Sequence, residues 1–186
     1  MDLHQALAKR KATREYKRDP VPLEVVEKLC YAASRAPTAC NAPYRHVIAI
    51  DDPRIIKSIQ LVSPSLLANP PLLLVIITDL REAIEKTGPL AERSSYVDSG
   101  AAGENILLAA TELGLGSQFT MIPSMAGIRE ILKLPEHYRV DLIIPIGFPD
   151  QSKKKKSTKA RVGANSVFHN QFGVPLVFGQ QQQETE

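Results

Sequence analysis

Residues 96–113 read YVDSGAAGENILLAATEL, and the rest of the chain is interpreted around them. Alanine and leucine recur on nearly every side of the helix this stretch would form, with few polar breaks, at Asp98, Glu104, Asn105 and Glu112. A helix that is apolar on most sides is either central to a fold or sits at a subunit interface, because a solvated helix needs a polar face. Gly114 follows as the C′ residue, where a left-handed conformation costs glycine little.

Outward from this helix, residues 72–78 (LLLVIIT) form a near-continuous apolar run rich in β-branched side chains, which suits a strand buried on both faces. His46 to Ile50, Gly116 to Met121 and Val140 to Gly147 are further strand candidates, and Pro145 in the last argues for an edge position or a bulge. Asp2 with Gln5 predicts a capping box on a short helix whose apolar face is Leu3, Ala6 and Leu7. Pro20 and Pro22 precede a helix over Leu23 to Arg35, with Val26, Leu29, Cys30 and Ala33 at helical spacing, stopped by Ala36-Pro37. Arg54 to Val62 predicts another helix. Ser124 opens one carrying Ile128, Ile131 and Leu132 and halted by Pro135. Asp79 to Ser95 is charged and weakly patterned, with a helix left open there. After Pro149 periodicity is lost, although Val167, Phe168, Phe172, Val174 and Leu176 need an apolar surface to pack on. Strands and helices intermix, so the class is α/β or α+β.

The 186 residues, 44% hydrophobic and 23% charged, suit one globular domain. We read residues 1–179 as that domain and 180–186, polar and of low complexity, as a flexible tail. The N-terminal residues show no secretory h-region, and Pro70 to Ile77, the longest apolar run, is far too short to span a membrane. Two cysteines, Cys30 and Cys40, are too few for a structural zinc site or a disulfide framework, which favours the cytoplasm. The net charge of +3 owes much to Lys153 to Lys156 with Lys159 and Arg161. A nucleic-acid module is poorly supported, because no aromatic residues interleave with that run.

No phosphate-cradling GxGxxG or P-loop, no GxSxG nucleophile elbow and no metal-ligand spacing among the histidines is present. What remains is a basic cluster at Lys9 to Arg14, a small polar loop at Pro37 to Asn41, and a basic cluster near the end of the chain. Were the clusters to meet, arginines would supply paired donors to a phosphate. Spacing alone favours solvated surface charge.

Four segments in order resemble the nitroreductase family. KRKATREY (9–16) is similar to its N-terminal arginine-rich motif, which ends in Arg, any residue, then Phe or Tyr. APTACNAPY (36–44) is similar to its Ala-Pro-Ser loop. DSGAAGENILLAA (98–110), running on through LGLGS (113–117), resembles its long central helix and the strand after it. IPIGFP (144–149), with Arg161 and His169 downstream, is the fourth. The resemblance implies an α+β three-layer fold, with a central, mostly antiparallel sheet flanked by helices and a C-terminal extension packed on a partner subunit. It implies a homodimer with FMN at the subunit interface and no metal, acting as an NAD(P)H-dependent oxidoreductase on nitroaromatic, quinone or similar acceptors by a ping-pong mechanism. The chemistry is flavin-centred, so no catalytic side chain is assigned.

Residue by residue, the resemblance implies that Arg10, Lys11 and Arg14 hold the phosphate and ribityl end, with backbone groups of Ala12 where the family has Ser. Lys159 and Arg161 close on the same phosphate. Pro37, Thr38 and Asn41 contact the flavin from the second subunit, with Ala42 in place of the family's Gln. Backbone groups near Thr120 and Met121 face the flavin N5 edge. Asn105 more naturally satisfies backbone or partner groups than flavin. An alternative reading is a flavin-binding or flavin-processing protein of the same fold with little turnover, since the region around residues 79–95, where the family often builds a lid, is short.

Overall fold

The structure, a computed structural model, describes residues 1–66, 69–120, 125–150, 152 and 167–176. Met1–Lys154 form one compact unit and Lys155–Glu186 a second. In the first unit, helices α1 (Leu3–Lys9), α2 (Leu23–Ser34), α3 (Pro53–Val62), α4 (Leu80–Thr87), α5 (Ala91–Glu112) and α6 (Met125–Ile131) surround strands β1 (Arg45–Ile50), β2 (Leu72–Asp79), β3 (Gly116–Ser117) and β4 (Tyr138–Gly147). The strands form one antiparallel sheet in the order β1-β2-β4-β3.

β2 is the apolar run of residues 72–78, and Leu72 to Ile77 are all buried. Its alternating side chains divide two cores. Leu72, Leu74 and Ile76 pack with Val26, Leu29 and Ala33 of α2 and Ala102, Ile106 and Ala110 of α5. Leu73, Val75 and Ile77 pack with Ile56 and Ile59 of α3 and Ile128 of α6. The result is three layers, helices over each face of an antiparallel sheet, in which the period-2 geometry of a central strand feeds both sides. No helix among the described residues is long and apolar enough to cross a membrane.

Local signals in the sequence set most boundaries. The Asp2 carboxylate accepts the Gln5 N–H at 2.8 Å and caps α1. Asp52 accepts the Arg54 N–H at 2.8 Å at the start of α3, and the adjoining Arg54 guanidinium holds its carboxyl down at about 2. α5 ends in a Schellman motif: Leu115 N–H reaches the Ala110 carbonyl and Gly114 N–H the Thr111 carbonyl, with Gly114 at φ 75°.

Residues 79–95, where the sequence leaves a helix open, are helical almost throughout: Asp79 caps α4 through the Arg81 and Glu82 N–H groups, and a 3-10 turn spans Gly88–Leu90. α4 carries Leu80, Ala83, Ile84 and Thr87 on one face at helical spacing, although only Ala83 is buried. Several expectations need correction. α5 begins at Ala91 rather than Tyr96. The strand expected over Gly116 to Met121 shrinks to β3 and an isolated bridge between Thr120 and Ile143. β1 and β4 begin earlier than expected, at Arg45 and Tyr138. Of the expected apolar face of α1 only Ala6 is buried; Leu3 and Leu7 remain 63% and 51% exposed. Ser124 lies outside the described residues.

β4 is not an outer strand, yet Pro145 fits the reason it was flagged. The carbonyls of Ile143 and Pro145 receive the Thr120 N–H and the Tyr16 hydroxyl, so this side of β4 faces away from β2. The missing N–H of Pro145 lies on that same side, which the two-residue β3 only partly covers.

The irregularity in β4 falls instead opposite Ile76 and Ile77, where Asp141 is the extra residue. It shifts the alternation by one, so that Asp141 and Arg139 both face α5. The Asp141 carboxylate accepts from Thr78 Oγ1 and Ser99 Oγ at 2.6 Å and from Arg139 Nε at 2.5 Å. Arg139 also donates to Ser95 Oγ at 2.8 Å and lies 3.6 Å from the centre of the Tyr96 ring. The pair is enclosed, with side chains 9% and 1% exposed, so removing one partner strands a buried charge. Asp141→Ala is expected to lower unfolding free energy by about 3–5 kcal/mol, read as a drop in the urea midpoint; a change within about 0.5 kcal/mol would show that the pair does not fasten α5 to the sheet.

The second unit is described only over residues 167–176. There Phe168 pairs with Pro175, the His169 N–H reaches the Val174 carbonyl at 2.8 Å, and the Phe168 and Phe172 rings lie 4.9 Å apart. Phe172 is 93% exposed.

Candidate functional site

Two half-sites emerge at different places on the sheet. The first is the N-terminal basic segment. Arg10 caps the end of α1, and its guanidinium pairs with Glu104 of α5 at 3.3 Å. Lys11, Ala12 and Arg14 continue as an exposed extended strip. Ala12 is bridged in parallel to Ser117, and the Thr13 N–H reaches the Ser117 carbonyl at 3.0 Å. Further on, Lys17 N–H bonds to Phe148 and Asp150 N–H to Glu15, at 2.8 and 3.0 Å.

Tyr16 anchors the strip. Its hydroxyl lies 2.6 Å from the Thr13 carbonyl and 3.2 Å from that of Pro145. Burial pushes its phenol well above the usual range, with nearby Arg14 opposing, so it remains a neutral donor. The strip also needs Gly116, where a Cβ would stand 2.5 Å from Thr13 Cγ2 and 2.6 Å from its Cβ and Oγ1.

Among the described residues Lys11 and Arg14 form no ion pair. Two cations held on a fixed backbone without carboxylate partners suit an anionic ligand such as a phosphate. Thr120, four residues beyond Gly116, is buried, and its hydroxyl has no hydrogen-bond partner among the described residues, a state that calls for an unseen partner.

The second half-site is the loop after α2. It lies beside a cleft of about 390 Å³ lined by Cys30, Ala36, Thr38, Asn41, Arg45 and Val47, among others. Pro37, Cys40 and Asn41 are exposed and Thr38 is half-buried. Within the loop, Ala39–Asn41 form a single 3-10 turn, with Cys40 and Asn41 in the left-handed region at φ 55° and 51°. Ala42, at the position of the family's Gln, is buried.

Three residues not singled out in the sequence as site residues hold this loop. The Arg45 guanidinium donates to the carbonyls of Pro37 (3.0 Å), Asp98 (2.9 Å), Ala33 (3.2 Å) and Ala36 (2.9 Å). The Asp98 carboxylate accepts the Ala39 N–H at 2.8 Å and the Tyr44 hydroxyl. Burial first, and then the bond to Asp98, raises the Tyr44 phenol; burial lowers the Arg45 guanidinium, and Asp98 opposes that. Asp98 was visible in the sequence as a polar break in an apolar helix. Arg45 gave no signal, since a cation at a strand start is ordinary. Asn105 donates to the Ala32 carbonyl at 3.1 Å, as expected of a residue satisfying backbone.

One chain does not bring the half-sites together. Ala12 is level with Ser117, Ser117 with Ile146, and Ile146 with Leu72, whereas Arg45 is level with Thr78. Leu72 and Thr78 sit at opposite ends of β2, roughly 20 Å apart along the strand. Four lateral steps between Ala12 and Arg45 add roughly 19 Å, placing the half-sites on the order of 28 Å apart at diagonal corners. Met121, Lys159 and Arg161, also assigned to the site in the sequence, lie outside the described residues, as does the run Lys153 to Lys156.

Helices over both faces of a four-stranded antiparallel sheet, with a basic strip at one corner and a clefted loop at the other, define a class of α+β proteins. The Nitroreductase family model matches residues 7–63 and 55–148, and the chain belongs to that family. It is 26% identical to a Staphylococcus aureus NADPH-dependent oxidoreductase, over 90% of this chain and 72% of that one. It is 28% identical to iodotyrosine deiodinase of Thermotoga neapolitana, over 82% of this chain and 91% of that one. Its fold is similar to that of the FMN-dependent nitroreductase of Clostridium difficile, with a TM-score of 0.77 at 30% identity, covering 91% of this chain and 100% of the other.

Gly116→Ala is expected to push the basic strip off β3, exposing the Thr13 amide to rapid hydrogen exchange and costing about 1–3 kcal/mol. Adding Thr13→Gly, which removes all three crowding atoms, is expected to restore protection of that amide. Slow exchange in the single variant would mean that the contact at Gly116 does not set the strip.

Proposed function

We propose that this chain is an NAD(P)H-dependent FMN oxidoreductase that works as a cytoplasmic homodimer, with each flavin held between two subunits. The observation that carries the reading is the separation of the half-sites. The basic strip suits a phosphate and the Pro37–Asn41 loop borders a cleft, yet a distance on the order of 28 Å is more than one flavin mononucleotide spans. A two-fold related pair of chains brings the strip of one to the loop of the other, and a symmetric dimer does so twice.

Surface composition supports the pairing. Leu3 and Leu7 of α1 are 63% and 51% exposed, and a second groove between α1, α2 and α5 is lined by Leu3, Ala6, Ala32, Asn105, Leu108 and Ala109, among others. Apolar side chains left in water beside a groove mark an interface rather than a finished surface.

In this reading Arg14 and Lys11 of one subunit bind the phosphate and ribityl end, Arg10 joins them as its pairing with Glu104 gives way, and backbone groups of Ala12 replace a lost hydroxyl contact. Lys159 and Arg161 are proposed to close on the same phosphate. Thr120, with the backbone near Met121, is the proposed neighbour of the N5 edge. Pro37, Thr38 and Asn41 of the partner subunit flank the ring. The bound flavin would supply hydride chemistry, taking electrons from NADH or NADPH and passing them to a nitroaromatic, quinone or similar acceptor in ping-pong order. The protein contributes placement and a cationic environment that favours added negative charge on the ligand.

The names of relatives support the class: one is an NADPH-dependent oxidoreductase and one structural neighbour an FMN-dependent nitroreductase. The purified protein is expected to be yellow, to sediment as a dimer, and to release FMN rather than FAD on heating. With a nitrofuran or quinone it should oxidise NADH or NADPH with parallel double-reciprocal lines. Full FMN occupancy without turnover would favour a flavin-binding or flavin-processing role instead, and a colourless monomer that takes up no FMN would remove the proposal. Arg14→Ala is expected to weaken FMN retention by about tenfold or more at unchanged melting temperature; retention equal to wild type would take Arg14 out of the site.

A further inference from the structure

The Pro37–Asn41 loop presents a physical problem that its own residues do not solve. Two consecutive non-glycine residues, Cys40 and Asn41, sit in the left-handed region at φ 55° and 51°, a conformation that L side chains adopt only at a cost. The internal bonds are the two of the 3-10 turn, Asn41 N–H to Thr38 and Ala42 N–H to Ala39, at 3.0 and 3.2 Å. Pro37, Cys40 and Asn41 are exposed, so apolar burial does little to fix them. An exposed and strained segment keeps one shape only where its surroundings determine it.

We infer that Asp98, acting with Tyr44 and Arg45, is a positioning residue that holds the Pro37–Asn41 loop in the shape that receives the ring system. This rests on the reading of that loop as part of a flavin site. The tethers end on the loop backbone itself: Asp98 Oδ2 takes the Ala39 N–H, the residue directly before the strained pair, and Arg45 takes the Pro37 and Ala36 carbonyls at its entry. Asp98 and Arg45 are joined in turn, because Arg45 also donates to the Asp98 carbonyl at 2.9 Å. Tyr44, fully buried, spends its hydroxyl on the same Asp98 oxygen and so fixes the carboxylate rotamer. Arg45 also lines the cleft beside Thr38 and Asn41. The loop geometry is therefore written from α5, a helix anchored in the core. Preorganisation of this kind spares a binding partner the entropy of ordering the loop.

The test uses the full-length protein stripped of flavin, comparing wild type, Asp98→Ala, Asp98→Asn and Arg45→Lys. Hydrogen exchange of the Ala39 and Asn41 amides and FMN affinity by fluorescence quenching are read alongside melting temperature. Asp98→Ala is expected to speed exchange at these amides and to raise the FMN Kd, each by about tenfold or more, while the β2 amides stay protected. Asp98→Asn keeps an acceptor oxygen and is expected to recover Kd to within about threefold of wild type. Arg45→Lys keeps the charge but loses the planar fork, and gives the same loop-confined effect should Asp98→Ala fail to fold.

Wild-type uptake of FMN together with unchanged Kd in Asp98→Ala and Arg45→Lys overturns this inference and leaves the proposed function standing. So does faster exchange spread across β2 with no rescue by Asp98→Asn, since that is the signature of general destabilisation. A wild-type chain that binds no FMN overturns both.

Discussion

β2 is antiparallel to a neighbour on each side and buried on each face, and everything else is placed relative to it. A strand in that position has no free edge and no free face, so β1 must lie on one side and β4 and β3 on the other. The same order sends the segment bridged to β3 and the loop leading into β1 to opposite corners. The distance between the basic strip and the cleft is thus a consequence of strand order, and the proposed two-chain site is an answer to it.

α5 is the second organiser. Nine of its residues are buried, and it touches both half-sites by separate polar contacts. Glu104 reaches Arg10 of the strip, Asp98 the loop, and Asn105 the end of α2. On its sheet side, Ser95 and Ser99 meet Arg139 and Asp141. These polar positions are the helix's specific connections: buried polar groups need partners, and geometry decides which ones. Apolar packing keeps α5 in place, while the polar residues set its rotation and register.

The two half-sites also differ in how they are held. The strip is fixed by backbone bonds to Ser117 and Phe148 and by one buried phenol, with its cations left outward. The loop is fixed by side chains from β1 and α5 that end on its backbone. A cationic strip can bind a flexible phosphate end with little shape demand. A planar ring needs a surface of defined shape, and the Asp98–Tyr44–Arg45 network lies where that ring is proposed to sit.

Much of this was legible in residue order. The run at 72–78 gave a doubly buried strand, the pattern at 96–113 a central helix, and Asp2, Gly114 and Pro22 gave helix ends, because propensity, capping and burial periodicity are local. The four ordered segments gave the family, and with it the three-layer fold that the structure displays. The sequence was silent where a property depends on a distant partner. Asp141 reaches α5 only because a bulge in β4 shifts the alternation there. Arg45 is one cation among many until the fold brings the carbonyls of Ala33, Ala36, Pro37 and Asp98 around it. Nor can residue order show that Arg14 and Asn41 stand at opposite corners of one chain, since strand order is set by which apolar faces bury against each other, and that is decided only when the whole chain packs.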